Sequence, residues 1–212
     1  DSEGRWTLGC NEGDRGDQHY RDVWHGRGDW TFYADSKARF SSEFGFSASP
    51  SLSLWERTID RETDWDPSSP VVRWHDKTGK TADVYHGFVE LHYPKIETLE
   101  DLHYYSNLNQ RDAICFAIEH YRHGTRCRGT LIWQLNDCWP VQSWALIDSS
   151  GVVKPAGREL RRAYAPVLVS VAVGPDSVAK IRVANDSADP FSEEFELRAV
   201  SLIDGAVLAS LT

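Results

Sequence analysis

The chain has 212 residues, of which 41% are hydrophobic and 26% are charged, as is usual for a globular protein. Its formal net charge of −9 argues against nucleic acid or an anionic membrane surface as a partner, because both attract basic proteins. No run of about 20 apolar residues occurs, so the sequence predicts no membrane-spanning helix.

Two short strands are predicted near the start of the chain. Residues 1–20 are polar and indicate a loop, and residues 22–26 are a short apolar run that ends in glycine and predicts a brief strand. Residues 28–37 indicate a loop with a helical turn. Residues 38–45 predict a second strand, and Glu43 lies near its end.

The middle of the chain is predicted to be helical at both ends and irregular between them. Ser and Pro at positions 49–51 are usual helix start signals. Residues 62–93 show no periodicity and indicate a long loop with helical turns, a kind of segment that often carries function. Residues 99–123 have apolar side chains at helical spacing and predict the main helix, with Gly124 as its stop.

The last part of the chain changes from mixed structure to strands. Residues 129–137 are apolar on both faces and predict a strand buried in a parallel barrel, and residues 156–163 predict a short amphipathic helix. After Pro166, apolar segments between turn residues are typical of a β-sandwich; they are residues 167–173, 179–183 and 194–200.

Alternation of strands and helices predicts an α/β fold with a parallel sheet. Catalytic groups of such barrels lie at the carboxyl ends of the strands, which here are His25, Glu43 and residues 133–137. We therefore expect these residues to share one pocket. A carboxylate at the end of a buried strand is costly without a partner or a task, so Glu43 is either catalytic or engaged in a helix cap or an ion pair.

Several segments resemble glycoside hydrolase family 2 β-mannosidases. Residues 39–46, Arg-Phe-Ser-Ser-Glu-Phe-Gly-Phe, resemble the segment that carries the nucleophile, and residues 130–140 resemble the last barrel strand with its loop. Residues 16–26 resemble the strand before the nucleophile, and residues 161–167 resemble the exit into a sandwich domain. The similarity extends in the correct order over roughly residues 14–170.

The resemblance implies the fold and the reaction. Residues 1–165 would be the C-terminal portion of a (β/α)8 TIM barrel, and residues 166–212 would begin an incomplete immunoglobulin-like β-sandwich. The implied reaction is release of terminal, non-reducing β-D-mannose from an oligosaccharide with retention of configuration. Two carboxyl groups about 5–5.5 Å apart perform such a reaction, which requires no metal and no organic cofactor.

The resemblance also assigns candidate site residues. Glu43 would be the nucleophile that forms a covalent glycosyl-enzyme. Trp133 resembles a wall of the sugar subsite, and His25 occupies a position near the nucleophile that is often Tyr in the family. Four further residues are candidates for substrate contact, although the first three could equally stabilise the last barrel loop: Asn136, Asp137, Trp139 and His19. Asp17 is a weaker candidate.

The second carboxyl group is harder to assign. In the family it is a Glu directly after an Asn on barrel strand four, and Asn11-Glu12 is the only such pair ahead of Glu43. Only 31 residues separate Glu12 from Glu43, which is too few for three crossovers of about 30 residues each. We therefore expect the acid/base, and the rest of the barrel, in a part of a longer protein upstream of Asp1; the absence of Met also points to an excised piece.

Two alternatives remain open. One is a family 2 glycosidase for another sugar, such as a β-galactosidase, β-glucuronidase or β-glucosaminidase. The other is a non-catalytic carbohydrate-binding module, which would explain the nine Trp residues, although these also suit a large core. Four widely spaced cysteines, Cys10, Cys115, Cys127 and Cys138, match no metal-site pattern and predict free, mostly buried thiols. The compartment stays open, with the cytoplasm slightly favoured.

Overall fold

A computed structural model of the protein describes residues 13, 15–124, 126–173 and 178–212. The Asn11-Glu12 pair and Cys10 lie outside the described residues. The elements before the main helix are β1 (Gln18–His19), a π-helical turn (Val23–Arg27), a 3-10 helix (Trp30–Asp35), β2 (Ser41–Phe44), α1 (Leu52–Thr58), α2 (Pro70–Trp74) and α3 (Ala82–Glu90). The elements after them are α4 (Leu99–His123), β3 (Thr130–Ile132), α5 (Pro155–Ala163), β4 (Val167–Val173), β5 (Ala179–Asn185), β6 (Leu197–Val200) and β7 (Val207–Leu211).

The three strands β1, β2 and β3 form a parallel sheet in that order, with β2 in the centre. His19 of β1 is in register with Glu43 of β2, and Phe44 of β2 is in register with Ile132 of β3. The parallel sheet with α4 between its last two strands confirms the predicted α/β character. Over the described residues the sheet stays three-stranded and does not close into a barrel.

The main helix α4 has the bounds that its periodicity predicts. Its start is fixed by a capping box, in which Thr98 Oγ1 accepts from the backbone N–H of Asp101 and the Asp101 carboxylate accepts from that of Thr98. Its buried face includes Leu102, Ile114 and Ile118, which belong to the core between the sheet and the helices. This long helix therefore supports the sheet from one side.

The strand predicted over residues 22–26 is wrong. These residues form the π-helical turn Val23–Arg27, and the strand lies earlier, at Gln18–His19. Val23 and Trp24 are adjacent and both buried, which a helical turn achieves and an alternating half-buried strand does not. The turn ends at Gly28, where φ is +74° and where a Cβ would lie 2.1 Å from the Phe88 ring.

The long loop predicted over residues 62–93 contains two helices. The hydroxyl of Ser69 caps α2 by accepting from the backbone N–H of Val71, and Pro70 occupies the first turn. Helix α3 buries Tyr85 and Val89, four residues apart, on one face. Both helices are short, so their periodicity is too brief to be recognised in the sequence.

The strand predicted over residues 129–137 is shorter than expected and not buried on both faces. It ends at Ile132, and Leu131 is 56% exposed because β3 is an edge strand of the described sheet. After Trp133 the chain leaves the sheet and folds against residues 144–147 through backbone hydrogen bonds from Leu146 and Ile147 to Leu135. The polar residues of this region therefore lie in a loop.

The strands predicted after Pro166 are present, but they do not form a sandwich in the described residues. β4 pairs with β5 and β6 pairs with β7, giving two separate antiparallel hairpins. Leu168 and Ala184 are buried, and His123 at the end of α4 hydrogen-bonds Ser170 at 2.6 Å. By contrast, at least 39% of the surface of each of five valines is exposed: Val169, Val171, Val183, Val200 and Val207. The immunoglobulin-like sandwich and the boundary after residue 165 stay predictions.

The described cysteines differ in their burial. Cys115, Cys127 and Cys138 are free thiols; the first is buried, the second is partly buried and the third is exposed, so burial is less general than predicted. None of the described helices is long and apolar enough to cross a membrane.

A buried carboxylate, Asp148, joins the loop after β3 to the start of α1. Its oxygens accept from the backbone N–H and hydroxyl of Ser51 and of Ser150, and from the backbone N–H of Val152. Burial by itself would raise the pKa of Asp148, but these hydrogen bonds outweigh it and lower the pKa to about 2. The segment after Glu43 and the loop after Trp133 are thereby held together.

We expect Asp148→Asn to lower the free energy of unfolding by roughly 2 kcal/mol at pH 7. The folded pKa lies below the ordinary value of 3.8, so this contribution is present above about pH 4 and is lost as pH falls through about 2. Urea denaturation at pH 7 and at low pH would show the difference shrinking with acid. Asp189→Asn, an exposed carboxylate, is the matched control; equal effects of the two changes would contradict the prediction.

Candidate active site

An open cleft of about 330 Å³ lies at the carboxyl end of the central strand β2. Strand β2 positions Glu43, the turn after β1 supplies the facing side chains, and the loop after β3 supplies an aromatic wall. The residues that line the cleft are Tyr20, Arg21, Trp24, His25, Glu43, Phe44, Gly45, Trp133 and Trp144. The structure thus brings Glu43, His25 and Trp133 together as expected, although His25 lies in the π-helical turn and not at the end of a strand.

Glu43 faces two basic side chains. Its Oε2 lies 3.5 Å from Nδ1 of His19, and its Oε1 lies 3.7 Å from a terminal nitrogen of Arg21. Arg21 also contacts the His19 ring at 3.4 Å. The Glu43 side chain is 28% exposed, so the carboxylate is anchored from one side and accessible from the other. This arrangement leaves the carboxylate able to meet a ligand in the cleft.

His25 borders the same cleft from the π-helical turn. Burial lowers the pKa of His25, and the positive charges of Arg21 and Lys80 lower it further. Because the ordinary pKa of histidine is already near 6.5, the imidazole is neutral at pH 7. A neutral ring has one N–H to donate and one nitrogen that accepts, which suits contact with a hydroxyl group.

The cleft has aromatic walls. Trp133 is 47% exposed, and Trp144 packs edge-on against buried Trp24 with ring centroids 5.6 Å apart. The backbone N–H of Trp133 donates to the carbonyl of Phe44, and the peptide bond between Trp133 and Gln134 is cis. An exposed indole ring beside a carboxylate forms the kind of surface on which the apolar face of a sugar ring stacks.

Gly45 allows the two strand ends to approach each other. A Cβ at this position would lie 2.0 Å from the carbonyl oxygen of Trp133, a backbone atom. The Gly45 carbonyl accepts from the hydroxyl of buried Tyr33 at 3.1 Å. The spacing between Glu43 and Trp133 therefore depends on the absence of a side chain between them.

Three predicted substrate residues lie outside the lining of this cleft. Asp137 is 8% exposed and accepts from the Ser143 hydroxyl at 2.8 Å; burial raises its pKa. Trp139 stacks on His75 with ring centroids 5.2 Å apart, and Asn136 donates to the carbonyl of Asp137 at 3.3 Å. These contacts are internal to the loop after β3 and its neighbours.

The two predicted residues before the turn have different positions. His19 contacts Glu43 directly and borders an adjoining cavity of about 320 Å³. Asp17 accepts from the Ser42 hydroxyl at 2.5 Å, and this hydrogen bond lowers the pKa of Asp17. Asp17 therefore holds the side chain of Ser42, the residue before Glu43, and does not line the cleft.

The sequence interpretation missed four cleft residues: Tyr20, Arg21, Trp24 and Trp144. Tyr20 and Arg21 directly follow β1, so a strand placed at Gln18–His19 would have indicated them through the same strand-end rule that indicated Glu43. Trp24 and Trp144 meet only through tertiary folding, and no local signal marks their contact. Among the described residues that line the cleft, Glu43 is the one carboxylate.

The described residues include no group of three or more His, Cys, Asp and Glu side chains arranged to hold a metal ion. The chemistry available within the cleft is that of one carboxylate, a guanidinium group, an imidazole and aromatic rings.

Comparison with known proteins shows likeness to β-mannosidases. No protein-family model matches the chain. Beta-mannosidase B of Aspergillus niger is 36% identical over 165 residues, which are 74% of this chain and 19% of that protein; beta-mannosidase B of Aspergillus oryzae is 34% identical over the same shares. The chain therefore spans about a fifth of the length of these curated relatives.

Solved structures show the same likeness. The crystal structure of a beta-D-mannosidase from Dictyoglomus thermophilum superposes with a TM-score of 0.80 and 29% identity, covering 95% of this chain and 25% of that one. An Amycolatopsis orientalis exo-chitosanase superposes with a TM-score of 0.65 at 18% identity, covering 86% of this chain and 23% of that one, which indicates a common fold.

Proposed function

Since the chain belongs to the β-mannosidase family over the segment that it covers, we propose that it carries the catalytic nucleophile of a retaining glycoside hydrolase. The substrate would be an oligosaccharide with a terminal, non-reducing β-D-mannose. The observation that carries the proposal is the position of Glu43, which lies near the carboxyl end of the central strand and lines a cleft with aromatic walls.

The geometry supports a nucleophilic role for Glu43. The carboxylate lies beside the cation of Arg21, which stabilises its negative charge before attack. Glu43 would attack the anomeric carbon, break the glycosidic bond and form a glycosyl-enzyme, which water then hydrolyses. Trp133 and Trp144 would stack on the mannose ring, and His19 and His25 would contact its hydroxyl groups or the nucleophile. Asn136, Asp137 and Trp139 would act through the shape of the loop after β3.

A retaining mechanism also needs a second carboxyl group about 5–5.5 Å from the nucleophile. We assign this acid/base to the part of the relatives' length that this chain does not cover. Residues 1–165 would then form the C-terminal part of a TIM barrel, and residues 166–212 would begin a β-sandwich domain. The parallel order of β1, β2 and β3, and the likeness to a beta-D-mannosidase structure, support this division.

The decisive experiment traps the covalent intermediate. We expect 2,4-dinitrophenyl 2-deoxy-2-fluoro-β-mannoside to add one fluoromannosyl group to the protein, because its leaving group departs without an acid catalyst while the fluorine slows hydrolysis of the intermediate. Intact-mass spectrometry would detect the adduct, and peptide mapping would assign it to Glu43.

Matched variants make this experiment specific. Glu43→Gln should not be labelled, whereas Glu62→Gln, which changes an exposed carboxylate remote from the strand end, should be labelled at the parent rate. Labelling on another residue would remove Glu43 from the mechanism. Sugar binding without any label, both in this chain and in a protein extended at its N-terminus, would favour the carbohydrate-binding module.

A further inference from the structure

Lys154 is a buried charged residue to which the proposed mechanism assigns no role. It directly precedes the first residue of α5, and 3% of its surface is exposed. Within the part of the chain that the structure describes, the charged side chains that are buried are those of Asp137, Asp148 and Lys154. Moving a charge from water into the interior is costly, and burial accordingly lowers the pKa of Lys154 to about 8. Because the ammonium form still predominates at pH 7, a positive charge is held inside the protein.

The ammonium group of Lys154 connects the segment after Glu43 to the loop after β3. Its Nζ donates to the carbonyl of Ala48, five residues after Glu43, at 3.0 Å and to the carbonyl of Ser143 at 3.4 Å. The same two residues pair through their backbones, since the N–H of Ala48 donates to Ser143 at 2.9 Å and the N–H of Ser143 donates to Ala48 at 3.2 Å. Hydrogen bonds from an ionised donor are roughly twice as strong as those from a neutral donor. The charge of Lys154 therefore strengthens the junction that these backbone hydrogen bonds make.

This junction supports the aromatic wall of the cleft. Trp144, which lines the cleft, directly follows Ser143 in the sequence. On the other side of Trp144, the carbonyl of Leu146 accepts from the backbone N–H of Lys154 at 2.8 Å. Lys154 thus holds the chain both before and after Trp144, through its side chain and through its backbone. Displacement of the junction would therefore move Trp144 relative to Glu43.

Three titratable groups interact electrostatically with Lys154 from the neighbouring elements. Asp137 lies in the loop after β3 and Asp148 lies before α5; their negative charges oppose the effect of burial on the pKa of Lys154. The third group is His103 of α4, whose Nδ1 donates to the carbonyl of Pro50 at 2.9 Å; burial lowers its pKa, so it is neutral at pH 7. Loss of the Lys154 proton therefore weakens two hydrogen bonds and leaves both carboxylates without an opposing charge.

We propose that Lys154 is a positioning residue for the attack by Glu43: its ammonium group holds Ala48 and Ser143 together and thereby sets the distance between Trp144 and Glu43. The inference rests on the proposed function and adds to it a residue outside the cleft whose charge influences the rate of attack. Deprotonation in mildly alkaline solution loosens the junction, so the attack on the anomeric carbon slows.

The rate of fluoromannosyl labelling as a function of pH tests this role in the full-length protein that carries this chain. The dinitrophenyl group departs without an acid catalyst, so ionisation of the acid/base does not affect the profile. In the cleft, the pKa of His25 is lowered from 6.5 and that of Tyr20 is raised to about 12, so neither group changes its charge between about pH 7 and pH 9.5. We expect the labelling rate of the parent protein to fall by about three-fold or more over this range, with a midpoint near pH 8.

Two substitutions of Lys154 separate the presence of the charge from its titration. Lys154→Met keeps the apolar stem and lacks the donor, so we expect labelling to be about ten-fold slower than in the parent at pH 7 and to show no midpoint near pH 8. Lys154→Arg stays positively charged over the whole range, so labelling should be faster than in the Met variant and should likewise show no midpoint. Circular dichroism would check the folding of each variant. The profiles of the parent and of Lys154→Arg still decide the question if Lys154→Met does not fold.

Two other lysines provide matched controls. Lys77 has its ammonium 3.5 Å from the centroid of exposed Trp74, so Lys77→Met should keep the parental rate and profile. Lys80 lies 5.2 Å from the centroid of the Trp24 ring and has a pKa lowered by desolvation, so Lys80→Met shows whether this nearer lysine causes the midpoint. A parent rate that stays constant over the range, a midpoint retained in Lys154→Met or a midpoint lost in Lys80→Met would overturn the positioning role. Failure of the parent protein to be labelled at any pH would instead overturn the proposed function.

Discussion

Replacing Glu43 with Ala is expected to lower the turnover of an aryl β-mannoside by a factor on the order of 10⁴ or more, because removal of a nucleophile costs an enzyme this much. The fold should survive, since the Glu43 side chain is partly exposed and its neighbours, His19 and Arg21, are open to solvent. Steady-state kinetics of the full-length protein, with circular dichroism as the check on folding, would measure the effect.

Rescue by a small anion would show that Glu43 acts as a nucleophile, whereas loss of activity alone shows only that it is required. Azide fits into the space that the missing carboxylate leaves and attacks the same face of the anomeric carbon. We expect azide to restore turnover of Glu43→Ala and to yield a mannosyl azide of inverted configuration. A variant of an exposed carboxylate, Glu62→Ala, should keep parental turnover without azide. Residual activity of Glu43→Ala near the parental level would exclude a nucleophilic role.

The parts of the fold that the sequence predicts well are those with long or unambiguous local patterns. Helix α4 spans about seven turns with apolar residues on one face and a capping box at Thr98, so both of its ends can be predicted from the sequence. The strand that carries Glu43 is predicted over residues 38–45, and the structure places it within that range, at Ser41–Phe44.

The predictions that are wrong concern short segments, whose structure is determined by tertiary contacts. The apolar pair Val23 and Trp24 fits a strand or a helical turn equally well, and the packing of Trp24 against Phe46, Tyr85 and Trp144 selects the turn. The hairpins after Pro166 have strand-like sequences, but no pattern within one strand shows which partner covers its apolar face.

The same distinction holds within the site. Glu43, His25 and Trp133 could be expected in one pocket because each follows or ends a predicted strand. The contacts of Lys80 and Tyr85 with Trp24 could not be expected, because these residues meet only when the segment around α3 folds back over the turn. The orientation of Asp137 could not be predicted either: its position after a strand indicated a site residue, whereas its side chain accepts from the Ser143 hydroxyl within the loop after β3.

Gly45→Ala is expected to be the most damaging single methyl addition in the site, lowering the free energy of unfolding by about 3 kcal/mol. The new Cβ would lie 2.0 Å from the Trp133 carbonyl oxygen and 3.6 Å from the Trp144 ring. The nearest atom belongs to the backbone of the loop after β3, so no side-chain rotation relieves the clash. The strand ends must separate, although the Trp133 N–H to Phe44 carbonyl hydrogen bond opposes this.

Separation of the strand ends should also slow the reaction of Glu43, because Gly45 lies two residues after Glu43 and directly against Trp133. A displacement of about 1 Å between nucleophile and sugar is enough to slow a reaction by about 10²-fold, so we expect the rate of fluoromannosyl labelling to fall by this order.

Gly87→Ala is the matched control: Gly87 lies inside α3 with nothing within 4 Å of the added Cβ, and alanine there should stabilise the helix by up to about 1 kcal/mol. Urea denaturation would measure the free energy of unfolding of both variants, and mass spectrometry would measure their rates of fluoromannosyl labelling. If Gly45→Ala behaves like Gly87→Ala, the close approach of the two strand ends is not what sets the distance between Glu43 and its aromatic wall.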